Sequence, residues 1–226
     1  MANGKKPWSG RFQTPTAPSV EKFTSSIHFD RRLYPYDIEG SIAHATMLAR
    51  QNIISKSEAA KIVSGLKNIL KEIEKSDFTF DPADEDIHMA IERELISRIG
   101  AAGGKLHSAR SRNDQIVLDV RLFLRGEIKS ILDYIHALRT RLTGLAKKEI
   151  ATIMPGYTHM QKAQPVLLSH YLMAFVEMFG RDAQRLNDCA NRINVLPLGA
   201  AALAGTGLPI DRSLTAKQLD FPAVSK

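Results

Sequence analysis

The stretch "DQIVLDVRLFLRGEIKSILDYIHALRTRLTGLAKKEI", Asp114 to Ile150, decides the fold class. Val117, Val120, Leu124, Ile128, Ile131, Ile135, Leu138, Leu142 and Leu145 recur at spacings of three and four with no proline between them. That is a heptad-like apolar seam, and it predicts one helix of about 35 residues, about 50 Å long. A second long helix is expected to start at Pro165, a residue favoured in the first helical turn, and to run towards Pro197. Leu168, Leu172, Phe175, Phe179, Leu186 and Ile193 would face inward along it. Two such rods ask for a bundle, and this chain holds too few other helices to supply it. Oligomerisation, missing chain, or both follow as expectations.

Working outward, shorter elements precede the rods. "KSEAAKIVSGLKNILKEIEK" reads as a helix, with Ser55 and Glu58 as a capping box and Ile62, Leu66, Ile69 and Ile73 on one face. "DEDIHMAIERELISRIG" starts on three acids, lines Ile87, Ile91 and Leu95, and ends at Gly100. "GAAGGKLHSARSR" lacks periodicity and is expected to be a loop. Pro7, Pro15 and Pro18 mark an irregular N-terminal arm. The fold class expected is therefore all-α: a small helical domain over residues 1–112, then the first part of a long-helix bundle domain over 113–226. The end, "LTAKQLDFPAVSK", stops without a cap or tail, as a fragment would.

Composition narrows the function classes. Hydrophobic residues make up 44% and charged residues 24%, ordinary values for a globular chain. One cysteine excludes an intramolecular disulfide framework, and no zinc-type ligand spacing occurs. No signal peptide or apolar stretch of membrane-spanning length is present, so a cytoplasmic address with no membrane partner is expected. The net charge of +7 suits either a nucleic acid or a substrate bearing carboxylates. No aromatic residue lies between Phe80 and Phe123, so the basic stretch Lys105–Arg112 lacks stacking platforms, and a nucleic-acid partner is not expected.

Three polar loops carry the candidate chemistry: "SSIHFDRRL" (25–33), "HSARSRNDQ" (107–115) and "MPGYTHMQKAQP" (154–165). In the second, Asn113 or Asp114 would cap the long helix. Ser111, Arg112 and Asn113 would then lie beside its positive end, a ready carboxylate or phosphate site. The plain alternative is that Asn113 only caps and the arginines are solvated. In the third, His159 sits in rigid backbone between Pro155-Gly156 and Pro165, with Gln161 and Gln164 nearby. His88 reads as a hydrogen-bonded structural histidine, Asp84–Asp86 as a helix-start acid cluster, and "YLMAFVEMF" as core.

The combination of "KPWSGRF", "DEDIHMAIE", "GGKLHSARSRNDQ", "PGYTHMQKAQP" and "INVLPLGAAALAGTGLPIDR" resembles the argininosuccinate lyases of the fumarase/aspartase superfamily over nearly the whole chain. The resemblance implies reversible β-elimination of argininosuccinate to arginine and fumarate, with no metal or organic cofactor. It implies substrate-binding roles for Ser26, Ser111, Arg112, Asn113 and Thr158, with Asp30 near the arginine part of the substrate. His159 would be the catalytic histidine, acting directly or by tuning the proton donor/acceptor pair. A homotetramer with active sites shared between subunits is also implied. The family's "GSSxMPxKxNP" loop with its catalytic serine is not in these 226 residues, so the chain resembles the N-terminal portion and is expected to be inactive alone. The alternatives are another fumarate-releasing lyase of the superfamily or a crystallin-like structural relative.

Overall fold

Ser55 and Glu58 set the tone of the computed structural model, which describes residues 14, 16–81 and 84–226. The Ser55 hydroxyl accepts from the Glu58 N–H at 3.2 Å, and the Glu58 carboxylate accepts from the Ser55 N–H at 2.9 Å. This box starts the helix Lys56–Glu74 where the sequence places it. The "KPWSGRF" motif, Pro7 and Pro15 lie outside the described residues. The chain divides into two compact units, the first joining residues up to Phe123 with Val195–Lys226, the second spanning Leu124–Asn194. The expected cut after residue 112 differs from this division, because the start of the long helix and the last 32 residues pack with the N-terminal helices.

In the first unit the helices are α1 (Pro18–Thr24), α2 (Ile27–Asp30), α3 (Tyr34–Arg50), α4 (Lys56–Glu74), α5 (Ile87–Ile99), α6 (Ala101–Gly104) and the start of α7 (Arg112–Lys148). Ile62, Leu66 and Ile69 of α4 meet Ile87, Ile91 and Leu95 of α5 in one core with Ile38 and Leu48 of α3. A Cβ on Gly65 would lie 2.6 Å from Leu95 Cδ1, so α4 needs glycine there to close on α5. Asp86 caps α5 by accepting from Met89 N–H at 2.6 Å, and Gly100 ends it in a positive-φ conformation. A second cluster gathers Leu118 and Leu122 of α7 with Leu196, Leu198, Ala216, Leu219 and Phe221. Ala216 lies in α9 (Arg212–Gln218), which Asp211 caps, and Leu219 and Phe221 follow just after it.

Two expected loops are corrected here. The stretch 25–33 is mostly helical, as α2 followed by a 3-10 turn at Arg31–Leu33. The stretch expected as a loop after Gly100 contains α6 and a 3-10 turn at Lys105–His107. Short helical turns carry no apolar period, which is why the pattern reading misses them.

The second unit holds the rest of α7, the antiparallel hairpin β1 (Ile153–Thr158) and β2 (Gln161–Leu167), and α8 (Leu168–Ile193). The third polar stretch is thus a hairpin rather than a loop, and α8 starts at Leu168 rather than Pro165. Pro165 instead pairs with Pro155 across the hairpin, where neither residue has an N–H to lose. Gly156 sits at the irregularity beside this pair, and a Cβ there would lie 2.9 Å from the Gln164 carbonyl oxygen. Along α8, Leu172 and Val176 are buried and Leu168, Phe175, Phe179, Leu186 and Ile193 are half-buried. Within "YLMAFVEMF" the core reading applies only in part, since Tyr171 and Met178 are about half exposed.

The 37-residue α7 has the expected length and seam spacing. Val117, Val120, Ile131, Leu138 and Leu145 nonetheless stay between 37% and 45% exposed, whereas Leu118, Leu122 and Ile128 are buried. Much of the seam therefore has no cover among the described residues.

Gly103 gives the fold a direct test. A Cβ there would lie 2.9 Å from the Cα and 3.0 Å from the backbone nitrogen of Ile96, so backbone must yield. Gly103→Ala is expected to lower the unfolding free energy by about 1–3 kcal/mol in urea titrations. An unchanged midpoint would show that α6 can move off α5 without cost.

Candidate active site

The first five residues of "DEDIHMAIE" each hold a different piece of the first unit. Asp84 takes a two-pronged ion pair from Arg93, at 2.9 and 2.8 Å. The Glu85 carbonyl accepts from the Ser26 N–H at 2.8 Å. Asp86 caps α5 and lies 3.5 Å from Arg112 Nε. The Ile87 N–H donates to Asp30 Oδ1 at 3.2 Å, and Ser26 Oγ donates to Asp30 Oδ2 at 2.6 Å. Burial raises the Asp30 pKa, against the Ser26 hydrogen bond that lowers it.

His88, the fifth residue, is buried between two carboxylates. Its Nδ1 lies 3.1 Å from Asp37 Oδ1 on α3 and 3.1 Å from Asp119 Oδ2 on α7. Burial alone would push the imidazole pKa down, but the Asp119 and Asp37 contacts outweigh it and hold the pKa at about 10. Burial, then the Asp37 charge, lifts Asp119 to about 7 against the pull of His88. The single Nδ1 proton serves one carboxylate at a time, so when it points at Asp37 the Asp119 oxygens lack a hydrogen-bond donor. Gly40 makes this meeting possible: a Cβ there would come within 2.8 Å of Leu118 Cδ2 and 3.5 Å of Asp119 Oδ1.

Asp37, His88 and Asp119 form the one group of potential metal ligands among the described residues, with donor atoms within 4.8 Å of one another. The set does not fit a resident cation. Asp37 Oδ1 already accepts from Gln115 Nε2, and the buried Arg110 guanidinium acts electrostatically on both carboxylates. Two carboxylates against an imidazolium and a guanidinium are balanced without a metal. Arg110 Nη1 also donates to Ser41 Oγ at 2.9 Å. Next to it, His44 Nε2 meets the Ser108 carbonyl at 2.9 Å, and burial with the Arg110 charge pushes its pKa down to about 3, leaving it neutral.

The turn at Ser111–Asn113 opens α7. Arg112 is the first helical residue, so the capping position belongs to Ser111 rather than to Asn113 or Asp114. Ser111 Oγ accepts from the Asn113 N–H at 3.2 Å, and Asp114 Oδ1 accepts from the Ser111 N–H at 2.9 Å. Asp114 Oδ2 reaches further and accepts from Gly199 and Ala201 N–H groups at 2.9 and 2.8 Å. This seats the strained 199–205 segment against the turn, with φ of 96° at Gly199, 53° at Ala201 and 89° at Gly205. Asn113 is exposed, its amide 3.5 Å from the Ala202 carbonyl. The Arg112 guanidinium is engaged on all sides, donating to Gln115 Oε1 at 2.8 Å and Glu92 Oε2 at 3.3 Å besides its contact with Asp86. Gln115, Asp37 and Asp119 escape sequence reasoning because single polar residues on apolar helices carry no motif. Alternate polar positions on the buried side of α7 are the signal that was there to find.

Thr158 and His159 belong to the second unit. Thr158 ends β1 and pairs with Gln161, leaving His159 and Met160 as a two-residue turn. Both have positive φ, 51° and 59°, the requirement of a type I′ hairpin turn normally met by Asn and Gly. Thr158 and His159 are exposed. Non-glycine residues in this conformation are strained, and such strain concentrates where a side chain must be aimed. Ser26, Ser111, Arg112 and Asn113 thus share the first unit around the start of α5, and Thr158 and His159 share one hairpin end in the second.

Residues 10–225 match the model of the protein family described as "Lyase". The chain is 65% identical to the argininosuccinate lyase of Syntrophus aciditrophicus over 98% of its own length and 47% of that protein. It is 58% identical to that of Syntrophotalea carbinolica, covering 98% of this chain and 48% of the relative. Among solved structures, EDDS lyase in complex with formate superposes with a TM-score of 0.76 at 33% identity, covering 92% of this chain and 42% of that one. The chain spans about half the length of the curated relatives it matches. It belongs to the lyase family and corresponds to the N-terminal portion of the argininosuccinate lyases to which it is similar.

Proposed function

We propose that this chain is the N-terminal portion of an argininosuccinate lyase that interconverts argininosuccinate with arginine and fumarate. The observation that carries the reading is 65% identity to one such lyase across 98% of the chain. The reaction suits the groups present. A base takes the proton from the carbon next to a carboxylate, and the electron pair moves onto that carboxylate. As the pair returns to form the fumarate double bond, the carbon–nitrogen bond breaks and the guanidino nitrogen leaves with a proton. Donors aimed at the charged carboxylate are the main catalytic need.

In this proposal the hydroxyls of Ser26 and Ser111 and the Asn113 amide bind substrate at or near the start of α7, where the helix dipole favours negative charge. Thr158 is a further substrate-binding group, carried by the hairpin of the second unit. Arg112 contributes through its place in the turn, its guanidinium being held by Glu92, Asp86 and Gln115. His159 serves the proton transfers, directly or by tuning their donor/acceptor pair. The step needs proton transfer and electrostatic stabilisation, both within the reach of protein side chains. A homotetramer in the cytoplasm, with each site completed by partner copies, is part of the same reading. It would give cover to the exposed seam of α7. No helix among the described residues is long and apolar enough to cross a membrane.

Two outcomes test this. The 226-residue chain by itself should release no fumarate from argininosuccinate, because the serine-bearing loop of the family lies outside it; activity at the level of the full-length protein would overturn that. In the full-length protein, His159→Asn should lower kcat by about 10²–10⁴-fold with little change in substrate affinity. Asn113→Ala should instead weaken binding by about 10-fold or more, the loss of a hydrogen bond to a charged group. Equal loss of rate and affinity in His159→Asn would reassign that residue to positioning.

A further inference from the structure

A continuous hydrogen-bonded path runs from the buried imidazole of His88 to the Ser111–Asn113 turn. His88 Nδ1 faces Asp37 Oδ1, which accepts from Gln115 Nε2. The other end of the same amide, Gln115 Oε1, accepts from Arg112 Nη1 at 2.8 Å. The orientation of the amide is set by these partners: the carboxylate takes only a donor, and the guanidinium offers only donors. Arg112 then starts α7, directly between Ser111 and Asn113.

We propose that His88 is a positioning residue, an imidazolium pinned between Asp37 and Asp119 that fixes the Arg112 guanidinium, and with it the turn, through the Gln115 amide. Asp37 held as an acceptor turns Gln115 so that its oxygen faces Arg112. Glu92 Oε2 of α5 and Oδ2 of its cap Asp86 take the remaining prongs of the guanidinium. The element carrying His88 therefore holds Arg112 from one side while the relay holds it from the other. A neutral His88 could satisfy one carboxylate but would leave a net negative charge beside Asp37, Asp119 and the nearby Asp30, balanced only by Arg110. Asp86 on its own element adds to that negative field around Asp30. The raised pKa of about 10 agrees with the geometry. Since the folded value lies above the ordinary 6.5, this contribution to stability is complete below about pH 6.5 and disappears as the pH rises through about 10.

The inference rests on the lyase reading only for what the turn would bind. It is tested in the 226-residue chain by nitrogen-15 NMR of histidine and arginine side chains. At pH 8.5 both ring nitrogens of His88 should carry protons, and a neutral ring at that pH overturns the proposal. His88→Gln and Gln115→Met should each speed hydrogen exchange at Arg112 Nε by about 10-fold or more and shift the amides of Ser111–Asp114. Arg98, paired to Glu72 and Glu94 outside the relay, should stay unchanged. An unaltered Arg112 signal in either folded variant overturns the proposal. If neither variant folds, the His88 titration in the unaltered chain decides. In the full-length protein, His88→Gln should raise KM about 10-fold with a smaller fall in kcat. If that protein has no lyase activity at all, the functional reading fails while the NMR measurements still decide the relay.

Discussion

The pairing of buried charge at the start of α5 is the constraint on which the first unit depends. Asp37, His88, Arg110 and Asp119 are each at most 8% exposed and come from α3, α5, the turn before α7, and α7 itself. Taking such groups from water costs several kcal/mol per ion, and only mutual pairing offsets it. Hydrophobic contacts among Ile62, Ile91 and Leu95 would tolerate sliding of one helix on another, whereas an imidazolium 3.1 Å from two carboxylates does not. The charge layer therefore adds little net stability and a great deal of register. That register reaches Ser26 through Asp30 and Ile87, and reaches Ser111 through Gln115 and Arg112.

Asp114 repeats this logic on a smaller scale. One oxygen closes the cap with Ser111 while the other accepts from two backbone N–H groups of the 199–205 segment. A segment of small residues, mostly alanine with a glycine at each end and three positive-φ positions, has little to bury and would wander on its own. Two charge-assisted hydrogen bonds tie it to the helix start, so chain nearly 90 residues downstream in sequence becomes a wall of the same turn.

Legibility in the sequence followed the range of the interactions. The α4 box at Ser55–Glu58, the helix start at the acids Asp84–Asp86, the stop at Gly100 and the length of α7 are all legible, because each is fixed by residues within a few positions of one another. The seam spacing was legible too, but which stripe the chain itself covers was not. Leu118 and Leu122 are buried by the returning segment after Val195, while Val117 and Val120 remain exposed. The hairpin hides from a local reading, which makes 154–165 a loop, because Pro155, Gly156 and Pro165 are breakers in any local count, and only their cross-strand register makes them compatible. His88 was legible as hydrogen-bonded, yet its partners Asp37 and Asp119 lie 51 and 31 residues away, beyond any local pattern.

The turn in the first unit and the hairpin in the second solve the same problem by different means. Ser111 and Arg112 are held by a buried electrostatic frame, so their precision comes from many partners and tolerates ordinary backbone geometry. His159 is exposed and sits at the tip of a two-stranded hairpin, a structure of marginal stability by itself. Its precision must come from the backbone: prolines on both strands limit φ, Gly156 lets the strands approach, and the I′ turn fixes the direction of the side chain. Asn-Gly would form that turn with less strain. Retaining His159 and Met160 there is explicable when the imidazole at that point is worth more to the protein than the stability it forgoes.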